Sequence, residues 1–137
     1  PPQNSYAAIP WASGTDDGSR LSSGEIVFGA EDEGTVWAVS AQVVFSSAAG
    51  ASQATGTNGL RIAHYDDGDT LLAVYPMQGV SEDPGVTLGP YILQAQGPAA
   101  GITVAEGDYL TVEIYASNSG VRVLSGNGSL FSGRRIQ

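Results

Sequence analysis

From Gly24 onward the chain is a series of short runs rich in valine, isoleucine and aromatic residues, each cut off by glycine, aspartate, asparagine or serine. That spacing is the pattern of antiparallel strands in a sandwich or barrel, and about eight such runs are present. The clearest places Trp37, Val39, Ala41, Val43 and Phe45 at every second position. Side chains alternate across a strand, so these five share one face. In Tyr109-Leu110-Thr111-Val112-Glu113-Ile114-Tyr115 the same period sends Leu110, Val112 and Ile114 one way, to a core. It sends Tyr109, Thr111, Glu113 and Tyr115 to a half-polar face. No stretch carries a helical period and no segment repeats at a fixed interval, so the expected class is all-β.

The other runs fix the order of elements. Glu25-Ile26-Val27-Phe28 leads into an acidic turn, Glu31-Asp32-Glu33-Gly34. Leu60-Arg61-Ile62-Ala63-His64-Tyr65 and Thr70-Leu71-Leu72-Ala73-Val74-Tyr75 flank Asp66-Asp67-Gly68-Asp69. Aspartate and glycine tolerate the positive φ of a tight turn, so this segment reads as a hairpin. Residues 86–94, 102–104, 121–124 and 129–132 supply further strands, and residues 46–58, 78–84 and 96–101 read as loops. Residues 1–22 are different in kind, rich in proline, serine, glycine and aspartate around one apolar patch, Tyr6-Ala7-Ala8-Ile9-Pro10-Trp11. They are expected to form an extended arm ahead of a single domain at 23–137. Tyr6, Ile9 and Trp11 would dock on a neighbour, because tyrosine and tryptophan join large apolar area to a polar tip. At 137 residues and 14.0 kDa the chain is long enough to bury a core of its own.

Fourteen acids stand against five bases, all of them arginine, for a formal charge of -9. Such a surface repels phosphate backbones and anionic lipid, which disfavours nucleic acid and membrane as partners. No apolar run is long enough to insert in a bilayer, and Pro1-Pro2-Gln3-Asn4-Ser5-Tyr6 lacks the basic start and apolar stretch of a signal peptide. The absence of cysteine removes disulfides, thiolate metal sites and thiol nucleophiles together.

Signals of catalysis are sparse. A Ser-His-Asp arrangement needs an imidazole, and the single one, His64, sits in a predicted strand, where it reads as structural. Nucleophile elbow, P-loop and dinucleotide fingerprint are all missing. Hydrolysis by two carboxylates depends on a separation that only the fold sets, but the acids gather in turns, where they read as solvated tips. No enzymatic activity and no cofactor are therefore expected. Clustered carboxylates suit calcium, with Asp66, Asp67 and Asp69 as the candidate ligands, although the EF-hand pattern and its closing glutamate are missing. Near the end, Arg134 and Arg135 stand out against the acidic background as guanidinium groups able to pair with carboxylates of a neighbouring subunit or partner.

Three stretches together resemble the C1q and tumour-necrosis-factor superfamily of jelly rolls. They are Gly24-Glu25-Ile26-Val27-Phe28 followed by Glu33-Gly34-Thr35-Val36-Trp37-Ala38-Val39-Ser40-Ala41; then Ala105-Glu106-Gly107-Asp108-Tyr109-Leu110-Thr111-Val112-Glu113-Ile114; then Ser129-Leu130-Phe131-Ser132-Gly133. They are similar to the family's early strand pair, its Gly-Asp turn into the penultimate long strand, and its last strand. Arg134-Arg135 departs from the family, which has apolar residues after that glycine. The resemblance implies a compact antiparallel jelly-roll sandwich forming a symmetric homotrimer, with late-strand aromatics near the threefold axis. Tyr109, Tyr115 and Phe131 are the expected interface residues. Aromatics on the second face of a strand whose first face fills the core need an apolar neighbour, and a subunit interface supplies one.

A compact, lysine-free β domain with an N-terminal arm also resembles bacteriophage virion proteins. The expectation is therefore a homotrimeric structural module of a virion, part of a capsid decoration, fibre or tail, held to other virion proteins by residues 1–22. The alternative expectation is a lectin-like head whose loops recognise a cell-surface glycan or receptor on the host.

Overall fold

The computed structural model describes residues 5–9, 15–16, 21–22, 24–47, 58–76, 91–116, 121–124 and 130–137. The strands among them are β1 (Tyr6–Ala8), β2 (Thr15–Asp16), β3 (Leu21–Ser22), β4 (Glu25–Val27), β5 (Val36–Ser47), β6 (Asn58–Tyr65), β7 (Leu71–Pro76), β8 (Tyr91–Gln96), β9 (Ile102–Thr103), β10 (Tyr109–Ala116), β11 (Val121–Leu124) and β12 (Leu130–Arg135). One turn of 3-10 helix, Ala30–Asp32, is the sole helical element among the described residues. The chain is all-β, as its alternation requires.

Two long strands organise two sheets. In sheet A the order is β3–β4–β10–β6–β7, with β1 pairing β10 beyond β4. In sheet B, β5 carries β12 and β11 along one edge and β8 and β9 along the other, and β2 adds to β12. The β2–β12 pair is parallel, and every other pair among the described residues is antiparallel. Neighbours in each sheet are mostly distant in sequence, because the chain passes from sheet A at β4 to B at β5. It returns to A at β6 and β7, crosses to B at β8 and β9, and crosses twice more at β10 and β11.

The inward faces meet in one apolar core. β5 contributes Trp37, Val39, Ala41 and Val43, and β10 contributes Leu110, Val112 and Ile114. Ile26, Phe28, Leu60, Ile62, Leu93 and Ala95 fill the space between. Each such large side chain withdrawn from water stabilises the fold by about 1.5–3 kcal/mol before chain entropy is charged against it. The rings of Phe28 and Trp37 pack 5.1 Å apart at 56°. Trp37 Nε1 donates to Thr35 Oγ1 at 2.9 Å, and that hydroxyl donates to the Asp32 carbonyl at 2.6 Å, so the buried indole leaves no polar group unsatisfied. The side chain of Phe45 lies outside the described residues.

Two expectations change. Ile9 was expected to reach outward from an arm, yet it is 7% exposed and belongs to the core. Ala7 pairs with Ile114, and the amide of Ile9 donates to the Val112 carbonyl at 2.9 Å. This register gives Ala7 and Ile9 the inward parity of β10, and an apolar side chain there joins the core. Phe131 was expected at a subunit surface, and it is fully buried in the core of one chain. Its partner in register is inward-facing Ala41, so parity across β5 and β12 settles its direction. Strand β12 also runs on through Arg134 and Arg135, opposite Ala38 and Trp37.

Candidate functional site

The outward face of sheet A holds the most organised polar cluster. Register places Arg61 opposite Glu113 and Tyr65 opposite Tyr109. Glu113 is 6% exposed although it faces away from the core, because larger neighbours cover it. Its Oε1 accepts from Arg61 Nε at 2.7 Å and Nη2 at 2.6 Å, and its Oε2 accepts from Tyr65 Oη at 2.6 Å and Thr111 Oγ1 at 3.3 Å. A buried carboxylate with this many donors is fully compensated. Arg61 also lies 4.0 Å from the ring centre of Tyr6, which in turn packs 5.5 Å from Tyr115. Gly59 makes this possible, since a Cβ there would come within 2.9 Å of Tyr6 Oη.

Tyr65 and Tyr109 stack at 5.1 Å and 13°, and Tyr109 Oη donates to Asp69 at 2.7 Å. The bond to Glu113 raises the Tyr65 phenol above its ordinary range, with burial adding to it. Burial first, then the bond to Asp69, raises Tyr109 further. Both hydroxyls stay protonated donors. Of the expected interface aromatics, Tyr109 and Tyr115 stand on this face with Tyr6, whereas Phe131 does not. Trp11 lies outside the described residues.

The acidic turns gather at one end of the two sheets, where β5, β10 and β7 begin and β6 ends. The Glu106 amide donates to Glu33 at 2.6 Å, and Gly107 sits against Asp67, where a Cβ would approach to 2.6 Å. Gly107 has φ +85, which with that contact makes glycine the fitting residue. Asp66 Oδ1 accepts the amides of Gly68 and Thr70, each at 2.9 Å, and Asp69 takes φ 64. The aspartates expected as calcium ligands thus close their own hairpin and hold Tyr109. Among the described residues no three acids or histidines group to hold a metal ion.

His64, the single imidazole, is buried and its Nε2 lies 2.8 Å from Asp108 Oδ2, which also accepts the Ala105 amide at 3.0 Å. The pair fastens the turn before β10 to the end of β6.

Sheet B presents the opposite character. Ala38, Ser40 and Gln42 of β5, Gln94 and Gln96 of β8, and Ser132 and Arg134 of β12 occupy its outward positions. The floor at Ala38 and Ser40 is low because those side chains are small. Residues 97–99 rise on one side and Arg134 and Arg135 on the other, enclosing a trough of about 940 Å³. Ser40 and Ser132 hydroxyls meet at 3.1 Å across its floor, and Gln94 donates to Gln42 at 2.8 Å beside it. Both arginines are exposed, and none of the described residues that line the trough is an acid.

Set against protein-family models and curated proteins, the chain matches none. Its site is therefore read from these surfaces alone. Neither the trough nor the Arg61–Glu113 pair is expected from the sequence. The small outward residues of β5 were visible as the other half of its alternation; the ion pair joins residues 52 positions apart, which no local pattern marks.

Proposed function

We propose that the chain is a non-enzymatic structural module of a virion, a jelly roll that assembles as a homotrimer and attaches to a capsid, fibre or tail through its N-terminal residues. The strand order supports this reading most. β10 lies between β4 and β6, and β12 lies between β2 and β5, with repeated crossings between sheets. Such interleaving is the pattern of the double Greek key of a jelly roll, and it accords with the resemblance to the C1q and tumour-necrosis-factor superfamily. Assembly is supported by apolar area at the surface: Leu71 at 45%, Leu72 at 51% and Val74 at 38% exposure stand together on β7, the last strand of its sheet among the described residues. Clustered apolar side chains at a sheet edge favour a partner.

With Ile9 taken up by the core, attachment falls to the exposed side of Tyr6 and to Trp11. Light scattering on the full chain tests the assembly: a mass of three chains is the expected result, and a monomer at every concentration overturns it. Particles grown with a chain lacking residues 1–22 test the attachment, which is refuted if incorporation is unchanged.

A second reading, a head recognising cell-surface glycan, draws on the sheet A face, where the stacked Tyr65 and Tyr109 lie beside Asp69. Aromatic faces beside oriented carboxylates suit hydroxyl-rich ligands. A glycan array without a hit removes it.

A further inference from the structure

We infer that the sheet B trough is the seat for the acidic turns of a second copy of this chain, with Arg134 and Arg135 as the groups that lock it. The inference rests on the self-assembly proposed above and adds the surfaces that mate. Charge distribution carries it. In a chain of formal charge -9 with only five bases, two consecutive ones, the outward-facing Arg134 and, at the strand end, Arg135, border the trough, and no Asp or Glu is among the described residues that line it. Two copies of a chain with this net charge repel one another overall, which costs association. The trough is where approach becomes attractive.

The complement lies on the same molecule. Glu31, Glu33, Asp67, Asp69 and Glu106 are all exposed, on three turns that brace one another at one end of the sheets. The bracing matters because a corner already fixed in shape loses little freedom on docking. Guanidinium groups present planar forks that fit carboxylates, and the low floor at Ala38 and Ser40 leaves depth for a turn to enter. A trough on one face and its complement at one end make a contact of unlike surfaces. Repeated from copy to copy, such a contact either closes into a ring or propagates. A closed ring of three is the outcome that agrees with the proposed homotrimer. β7, with its exposed leucines, is then free to add apolar area at the same junction.

The test is light scattering on the full chain at low salt and again at about 1 M, where the screening length falls to about 3 Å. Three variants accompany the wild type: Arg134→Glu with Arg135→Glu, Asp67→Arg with Glu106→Arg, and all four substitutions together. Circular dichroism confirms that each is folded, and Arg134→Gln with Arg135→Gln replaces the first pair should charge reversal prevent folding. The expected result is a wild-type mass of three chains that falls as salt rises. Each double variant falls to one chain, and the charge-swapped quadruple variant returns to three. A double arginine variant that stays at three chains overturns the trough as the seat while leaving the trimer intact. Failure of the quadruple variant to reassemble overturns the acidic turns as its occupant, leaving an acidic segment of another protein as the partner to seek. A wild type that is monomeric at every concentration removes the assembly itself.

Discussion

The outward faces of the two sheets are built on the same two-residue period and end in opposite states. On sheet A the outward residues are large and polar or aromatic, and they spend their hydrogen-bonding groups on one another: Glu113 gathers Arg61, Tyr65 and Thr111, and Tyr109 turns to Asp69. On sheet B the outward residues Ala38 and Ser40 of β5 are small, so nothing stands tall enough to cover the floor there, and no acid is among the described residues that line the trough with the two arginines. A face of long, mutually satisfied side chains contributes to the stability of its own chain. A face of short ones contributes little and stays open to something else. Side-chain length, rather than polarity, separates the two roles.

The largest expected effect lies between the faces. Phe131→Ala should lower unfolding free energy by about 4 kcal/mol, from lost burial and the cavity left behind. Urea denaturation measures it, and a variant with native stability but lost assembly would return Phe131 to an interface. Next comes Glu113→Ala, which strips Arg61 and Tyr65 of their shared acceptor. A loss of about 3 kcal/mol is expected, at the low end for breaking a buried pair, since the Arg61 side chain is 23% exposed and still reaches water.

Tyrosines of sheet A also set behaviour at high pH. Tyr65, Tyr75 and Tyr109 have phenols raised in the folded state, Tyr65 chiefly by its bond to Glu113 and the other two chiefly by burial. A group raised on folding contributes stability that is whole below its unfolded value, about 10 for tyrosine, and is lost as pH climbs through the folded value. Denaturation midpoints should therefore fall on the alkaline side of about pH 10, and less steeply in Tyr65→Phe and Tyr109→Phe. At neutral pH Tyr109→Phe should cost no more than about 1 kcal/mol, the net worth of one hydrogen bond. Smallest of all, Ser132→Ala on sheet B should change stability by less than about 0.5 kcal/mol. A larger loss there would mean that the trough floor supports its own chain after all.

How much of this was legible beforehand follows from which forces are local. Alternation in β5 and β10 announced both strands and their core faces, and Asp66-Asp67-Gly68-Asp69 announced the hairpin, because each is decided within a few residues. The direction of Phe131 was not legible, because Leu130-Phe131-Ser132-Gly133 alternates too briefly to show its inward side until pairing with Ala41 supplies it. The direction of Ile9 was not legible for the same reason: β1 is three residues long, and only its register on β10 turns the next residue inward. Among the site residues, the sequence marked Tyr109, Tyr115 and the arginine pair, but not the trough beside that pair. A trough needs three strands laid side by side, and β8, β5 and β12 are far apart in the chain.

The difference between the faces can be measured with a single thiol, since the chain has no cysteine of its own. Ser132→Cys places one in the trough, and its rate of alkylation can be followed from dilute to concentrated protein. A thiol that reacts freely in dilute solution and becomes protected as the mass approaches three chains is the result expected if sheet B is the mating face. A rate that stays the same while the mass rises would place assembly elsewhere on the molecule.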